Sequence, residues 1–181
     1  MEIALLTAFT NAEAEEVTIR TGALGEIEAA LRRAHTQLDN KGRRMGKSEI
    51  VERELFREGW RKARVWVPEG LPRPSNDSFD GWKVFEEDGT RFGIAVEIEW
   101  DYKRVYLDFL KLWRARRGGQ IRGGVIVLRS PDTFHYAVHH QLALYSDLLG
   151  DVPIALCALD DSDLADPTYR EERAPLAFPM P

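Results

Sequence analysis

The sequence predicts a single α/β domain with a central mixed β-sheet flanked by helices, and three observations predict it. Strand-like and helical runs alternate through the second half of the chain, which is the pattern of an α/β layer. An Asp-Gly pair, Asp88-Gly89, stands between two strand-like runs and signals an antiparallel hairpin inside that layer. The length of 181 residues at 44% hydrophobic content suffices for one core and would be cramped as two. The domain is read across residues 1–181, with an N-terminal helical part at about 1–46, a core at about 47–160 and a tail at about 161–181.

Each element follows from local signals. Gly22 to Leu38 places Leu24, Ile27 and Leu31 at helical spacing and reads as an amphipathic scaffold helix. A Gly/Arg/Lys linker, Asn40 to Gly46, leads to the N-cap candidate Ser48 and a helix carrying Val51, Leu55, Phe56 and Trp60. Val65-Trp66-Val67 reads as extended, and the Pro- and Gly-bearing stretch Pro68 to Ser78 reads as a loop. The hairpin strands are Asp80 to Glu86 and Arg91 to Trp100. A helix from about Tyr102 to Arg117, a strand Gly124 to Leu128, a helix from about Thr133 to Leu149 and a strand Pro153 to Leu159 complete the order. The later strands can pair parallel, so the sheet is mixed.

Composition excludes several classes. The longest apolar stretches are interrupted by charge well short of the roughly 20 residues that span a bilayer, so no membrane segment is expected and a cytoplasmic protein is. The lone Cys157 lies in the apolar run Ile154 to Leu159; it cannot form an internal disulfide and reads as an inert core residue. The formal charge of −5 argues against a nucleic-acid partner, but its distribution argues for one. From Lys103 to Arg122 seven basic residues accompany one acid, Asp108, whereas Asp160, Asp161, Asp163 and Asp166 crowd the C-terminal part. Taken alone, the basic run also fits a solvated helix face.

The chemistry concentrates on the second hairpin strand. Side chains alternate along Gly93-Ile94-Ala95-Val96-Glu97-Ile98-Glu99-Trp100, so Glu97 and Glu99 project from one face. Two like charges on an otherwise apolar strand are costly unless a proton or cation intervenes, and oxygen-only ligands select Mg²⁺ or a similar hard ion. A bare Glu-Ile-Glu also fits an edge strand facing water. A third carboxylate shifts the balance: with Asp88-Gly89 at the turn, residues whose numbers sum to about 178 face one another, which sets Asp80 opposite Ile98 and between the two glutamates.

Phe79-Asp80-Gly81-Trp82, the Val96-Glu97-Ile98-Glu99-Trp100 strand, the helix with Arg104, Leu110 and Trp113, and the strand Gly124 to Ser130 together resemble the core of the BamHI and BglII type II restriction endonucleases, within the PD-(D/E)xK nuclease group. The similarity extends upstream over Ile50 to Val67 and downstream to Asp151-Val152-Pro153-Ile154. The resemblance implies a restriction-endonuclease-like fold and sequence-specific, Mg²⁺-dependent hydrolysis of double-stranded DNA. A homodimer would cut a palindrome, with a GATC-containing site as the natural guess. It implies Asp80 and Glu97 as Mg²⁺ ligands with the Ile98 carbonyl, and Glu99 as general base or water-positioning group in the place where the wider group carries Lys. One departure stands out: relatives carry a further polar or acidic site residue where this chain aligns Ala63, leaving Glu54 and Glu58 as candidates for the fourth position, each of which also fits a solvated helix face.

For DNA contacts, Lys103 and Arg104 directly follow the catalytic strand and can reach phosphates, and Arg114, Arg116, Arg117, Gln120 and Arg122 can extend the contact. Arg129, Ser130 and the residues to Thr133, with His135, His139, His140 and Gln141 beyond, form the candidate reading element, while adjacent His139 and His140 cannot share a metal on a helix. Two other functions remain open on sequence alone: a repair or methylation-dependent nuclease with the same site, and a DNA-binding module without catalysis.

Overall fold

The computed structural model describes residues 3–39, 48–66, 78–101, 103–149 and 152–160. The expected linker Asn40 to Gly46, most of the Pro-rich loop and the C-terminal tail lie outside these residues. Six strands form one mixed sheet in the order β1-β6-β5-β4-β3-β2. Their ranges are β1 Ala4–Phe9, β2 Arg61–Arg64, β3 Ser78–Glu87, β4 Thr90–Glu99, β5 Gly123–Leu128 and β6 Ile154–Asp160. The β4-β5 and β5-β6 pairs are parallel, and the other three are antiparallel. The expected central mixed sheet flanked by helices is thus present.

The helices cover both faces. On one side, α1 (Ala12–Arg20), α2 (Ala23–Asp39) and α3 (Ser48–Arg57) bury Val17, Ile27, Leu31, Val51 and Leu55 against Ile94, Val96, Ile98, Val125 and Val127. On the other, α4 (Val105–Arg117), α5 (Pro131–Tyr136), a π-helical segment (Ala137–Leu142) and α6 (Ala143–Leu149) close over Ala95, Ile126, Leu128, Ile154 and Leu156. All six residues of β5 are buried, as expected of a central strand in a parallel neighbourhood covered on both faces. Cys157 is buried among them, and burial pushes its thiol up to about 12, which keeps it in the inert thiol form.

Three expectations about elements are corrected. The N-terminal stretch, read as helical, opens with β1, which pairs antiparallel with β6 at the sheet edge; its sequence ALLTAF lacks the alternation that would have marked it. Of the extended segment expected at Val65 to Val67, Val65 and Trp66 are not in a strand and Val67 lies outside the described residues; the edge strand beside β3 is Arg61–Arg64. Trp60 does not continue α3 but follows it, buried, with its indole N–H donating to Glu26 at 3.0 Å.

The hairpin sets the geometry of the site. Asp88 and Gly89 both adopt left-handed backbone, φ 51° and 75°, as a two-residue turn between right-twisted strands requires. Glu87 pairs with Thr90 and Gly81 with Val96, so facing residues sum to 177 (87 + 90 and 81 + 96) rather than 178. The β3-β4 ladder ends at Gly81 and Val96, and beyond it Asp80 meets β4 through the Ile98 N–H, which donates to its Oδ2 at 2.8 Å.

Candidate active site

Glu97 is the most deeply placed acid of the group, 2% exposed, on the face of β4 that meets α4. Its Oε2 accepts from the Lys111 ammonium at 2.8 Å, and its Oε1 has no partner among the described residues. Burial pushes the Glu97 carboxyl up to about 9, against the pull of Lys111. Asp80 on β3 is half-buried, and its Oδ2 accepts from the Ile98 N–H at 2.8 Å. Burial raises its pKa as well, the Ile98 N–H opposes the rise, and the charge of Glu52 adds to it. Glu99 lies nearer the rim. Its Oε1 accepts from the Asp101 N–H at 2.8 Å and its Oε2 stands 4.0 Å from Arg104.

Helix α4 brings two more charged groups under β4. Val105, Phe109, Leu112 and Ala115 form its buried stripe, and Asp108 and Lys111 sit beside that stripe rather than on the solvent side. The Lys111 ammonium also donates to the Ser78 carbonyl at 3.2 Å and lies 3.9 Å from Asp108. Burial works to lower Lys111, but Glu97 beside it overrides this and holds the ammonium above its ordinary value. Asp108 is 7% exposed, its Oδ2 has no partner among the described residues, and burial raises its carboxyl to about 7. Sequence reasoning counted both residues only as members of a basic run. The available signal was their spacing: Val105, Asp108 and Lys111 recur every three residues along one helical stripe, so two charges fall where a core-facing helix should be apolar.

Glu54 and Glu58 are not brought to this group. Glu54 is wholly buried in a cluster with Arg33, Gln37 and Arg57, which outweighs its burial and lowers its pKa, and Glu58 pairs with Arg33 at 2.5 Å. These contacts fasten α3 to α2. The α3 acid whose charge reaches Asp80 is Glu52, 9% exposed and bridged to Lys62 of β2 at 2.8 Å.

The cations divide between the two ends of the sheet. Lys103 and Arg104 are exposed just beyond β4, and Arg129 and Ser130 follow β5 at the same end, because Glu99 pairs with Leu128. Ser130 caps α5 by accepting from the Thr133 N–H. Arg116 and Arg122 lie at the far end, where Arg116 pairs with Glu13 and Arg122 with Glu87 at the hairpin turn. Arg117 lies over the Trp113 ring and Arg114 is half-buried on α4. Among the other polar groups weighed for base reading, His135 and His139 stack on one exposed face, while Gln141 is buried.

The donor set fits a hard divalent ion. Carboxylates of Asp80, Glu97 and Glu99 and the Ile98 carbonyl all offer oxygens, and Glu97 Oε1 is a buried acceptor without a partner among the described residues, which is the kind of atom a cation satisfies. Among the described residues no group of three or more His, Cys, Asp or Glu is closed around a common point. Asp80 holds the Ile98 N–H and Glu97 holds Lys111 instead. None of the described helices is long and apolar enough to cross a membrane.

A family model described as restriction endonuclease BglII/BglIII matches residues 7–159, which includes all of these groups. No curated protein matches the chain.

Proposed function

Because the chain belongs to the BglII/BglIII restriction endonuclease family, we propose that it is a type II enzyme hydrolysing double-stranded DNA with Mg²⁺ at Asp80, Glu97 and the Ile98 carbonyl. The observation that carries this reading is the approach of two acids from β3 and β4, Asp80 accepting from the Ile98 N–H beside Glu97, whose buried Oε1 has no partner among the described residues. Mg²⁺ held there supplies Lewis-acid chemistry, lowering the pKa of a bound water and neutralising charge on the phosphate. Glu99 accepts the proton of the attacking water at Oε2, while the Asp101 N–H fixes its other oxygen. Lys103 and Arg104 at the rim bind the phosphates flanking the scissile bond. Arg129 and Ser130 share that rim, so the turn after β5 is the base-reading element. Glu52 is the fourth acidic contributor.

One site per chain cuts one strand. A double-strand cut therefore calls for a homodimer acting on a palindrome, for which the resemblance to BamHI and BglII suggests a GATC-containing sequence. Helices α4 and α6 pack through Tyr106 and Phe109 on Tyr145 and leave Leu107, Leu110 and Leu144 exposed, an apolar surface that suits such an interface.

The test compares two aspartates that both precede Glu97. Asp88 is in the turn, nine residues along the chain from Glu97, which at about 3.3 Å each places it on the order of 30 Å away. Asp80→Asn abolishes Mg²⁺-dependent plasmid cleavage, and Asp88→Asn, a change that a left-handed turn position accepts, leaves it near wild type. Cleavage that survives Asp80→Asn, or that EDTA fails to stop, overturns the assignment.

A further inference from the structure

Around Lys111 the charges do not balance. One ammonium lies among three carboxyl groups, and two buried oxygens, Glu97 Oε1 and Asp108 Oδ2, have no partner among the described residues. Lys111 donates to Glu97 at 2.8 Å and to Ser78 O at 3.2 Å, and Asp108 Oδ1 waits at 3.9 Å, just beyond hydrogen-bonding distance. We propose that Lys111 is an exchangeable internal partner: it donates to Glu97 while no metal is bound and passes to Asp108 when a divalent cation takes Glu97.

The inference rests on the metal reading of Glu97 given above, and geometry carries it further. An ammonium left against Glu97 beside a divalent ion would meet strong repulsion in a poorly screened interior. Moving Nζ about 1 Å toward Asp108 turns the 3.9 Å separation into a charge-assisted hydrogen bond, a displacement well within the reach of a four-carbon stem. Asp108 is one helical turn from Lys111 on the same element, so nothing in the fold has to move with it. The exchange leaves each carboxylate with a cation: the metal takes Glu97 and the lysine takes Asp108 through Oδ1. In this role Asp108 is a positioning residue that acts through Lys111, not a metal ligand.

A thermal-shift titration with Ca²⁺, which reports folding and affinity together, tests the assignment through a double-mutant cycle. Asp108→Asn removes the second acceptor and weakens Ca²⁺ binding about tenfold, and Lys111→Met removes the competitor and tightens it. In the Lys111→Met background, Asp108→Asn then changes affinity by less than about twofold. If Asp108→Asn weakens binding equally with and without the lysine, Asp108 acts on the metal directly and the exchange is overturned. Should Lys111→Met lower the unliganded melting temperature too far to titrate, Lys111→Gln replaces it. A crystal structure with Ca²⁺ gives an independent reading: Nζ within about 3 Å of Asp108 supports the exchange, and Nζ still on Glu97 overturns it. Glu97→Gln separates the two levels, because Ca²⁺ binding that persists in that variant removes the metal reading itself, and the exchange falls with it.

Discussion

At Glu97 one side chain carries opposing demands, because the buried position that suits a metal ligand penalises its charge. With the carboxyl raised from an ordinary 4.5 to about 9, the folded state favours the protonated acid. The stability this contributes is fully present below about pH 4.5 and is lost as pH rises through 9. Glu97→Gln removes the titration. In EDTA the variant should therefore melt higher than wild type at pH 9, by about 3 °C or more, with the gain shrinking toward pH 5. Mg²⁺ at pH 9 raises the wild-type midpoint and leaves the variant unchanged. A lower melting temperature for the variant at pH 9 would mean that the Lys111 ion pair outweighs the burial of the charge. Lys111 itself shows why such a site is only partly legible in a sequence. Glu97 and Glu99 announce themselves by alternation within one strand, whereas Lys111 reaches Glu97 across 14 positions and only the packing of α4 against β4 reveals the contact.

At the scale of elements, the placement of α4 decides which groups meet. Gly124 on β5 makes that placement possible: a Cβ there would lie 2.6 Å from Leu112 Cδ2 and 2.8 Å from Cδ1, well inside van der Waals contact. Gly124→Ala should destabilise the fold by about 1–3 kcal/mol, the usual cost of overpacking, and move α4 with its Asp108 and Lys111 away from β4. Leu112→Ala in the same chain relieves the overlap, so the melting temperature of the double variant should lie above the value expected from adding the two single losses. Strict additivity would show that α4 had not been pressed against Gly124. The strands of the hairpin were legible because Asp-Gly dictates the turn, but the register was not: a shift of one in the sum of facing numbers lies beyond what turn chemistry alone specifies. Strand β1 was missed because its pairing with β6 joins residues about 150 positions apart, a contact that no local pattern encodes.

Across the whole molecule, the basic run from Lys103 to Arg122 is divided by the path of the chain. It looks continuous in sequence, but α4 carries it away from the site: 13 helical residues at about 1.5 Å each span about 20 Å. Arg104 stands at the end of the sheet with Glu99, Arg129 and Ser130, whereas Arg122 lies at the opposite end, paired with Glu87 at 2.8 Å and stacked over Phe92. If DNA sits across the end that holds Asp80 and Glu97, the two arginines must differ in what they contribute. Arg104→Ala should weaken binding to all sequences alike and reduce the slope of log affinity against log salt by about one unit, the signature of one lost phosphate contact. Arg122→Ala should leave that slope unchanged and lower the melting temperature instead, since it removes the ion pair between β5 and the hairpin turn. Binding titrations at several salt concentrations on cognate and unrelated duplexes separate these outcomes. An equal loss of slope in both variants would extend the DNA along α4 to the far end of the sheet, and a changed sequence preference in Arg104→Ala would assign that side chain to a base rather than to the backbone.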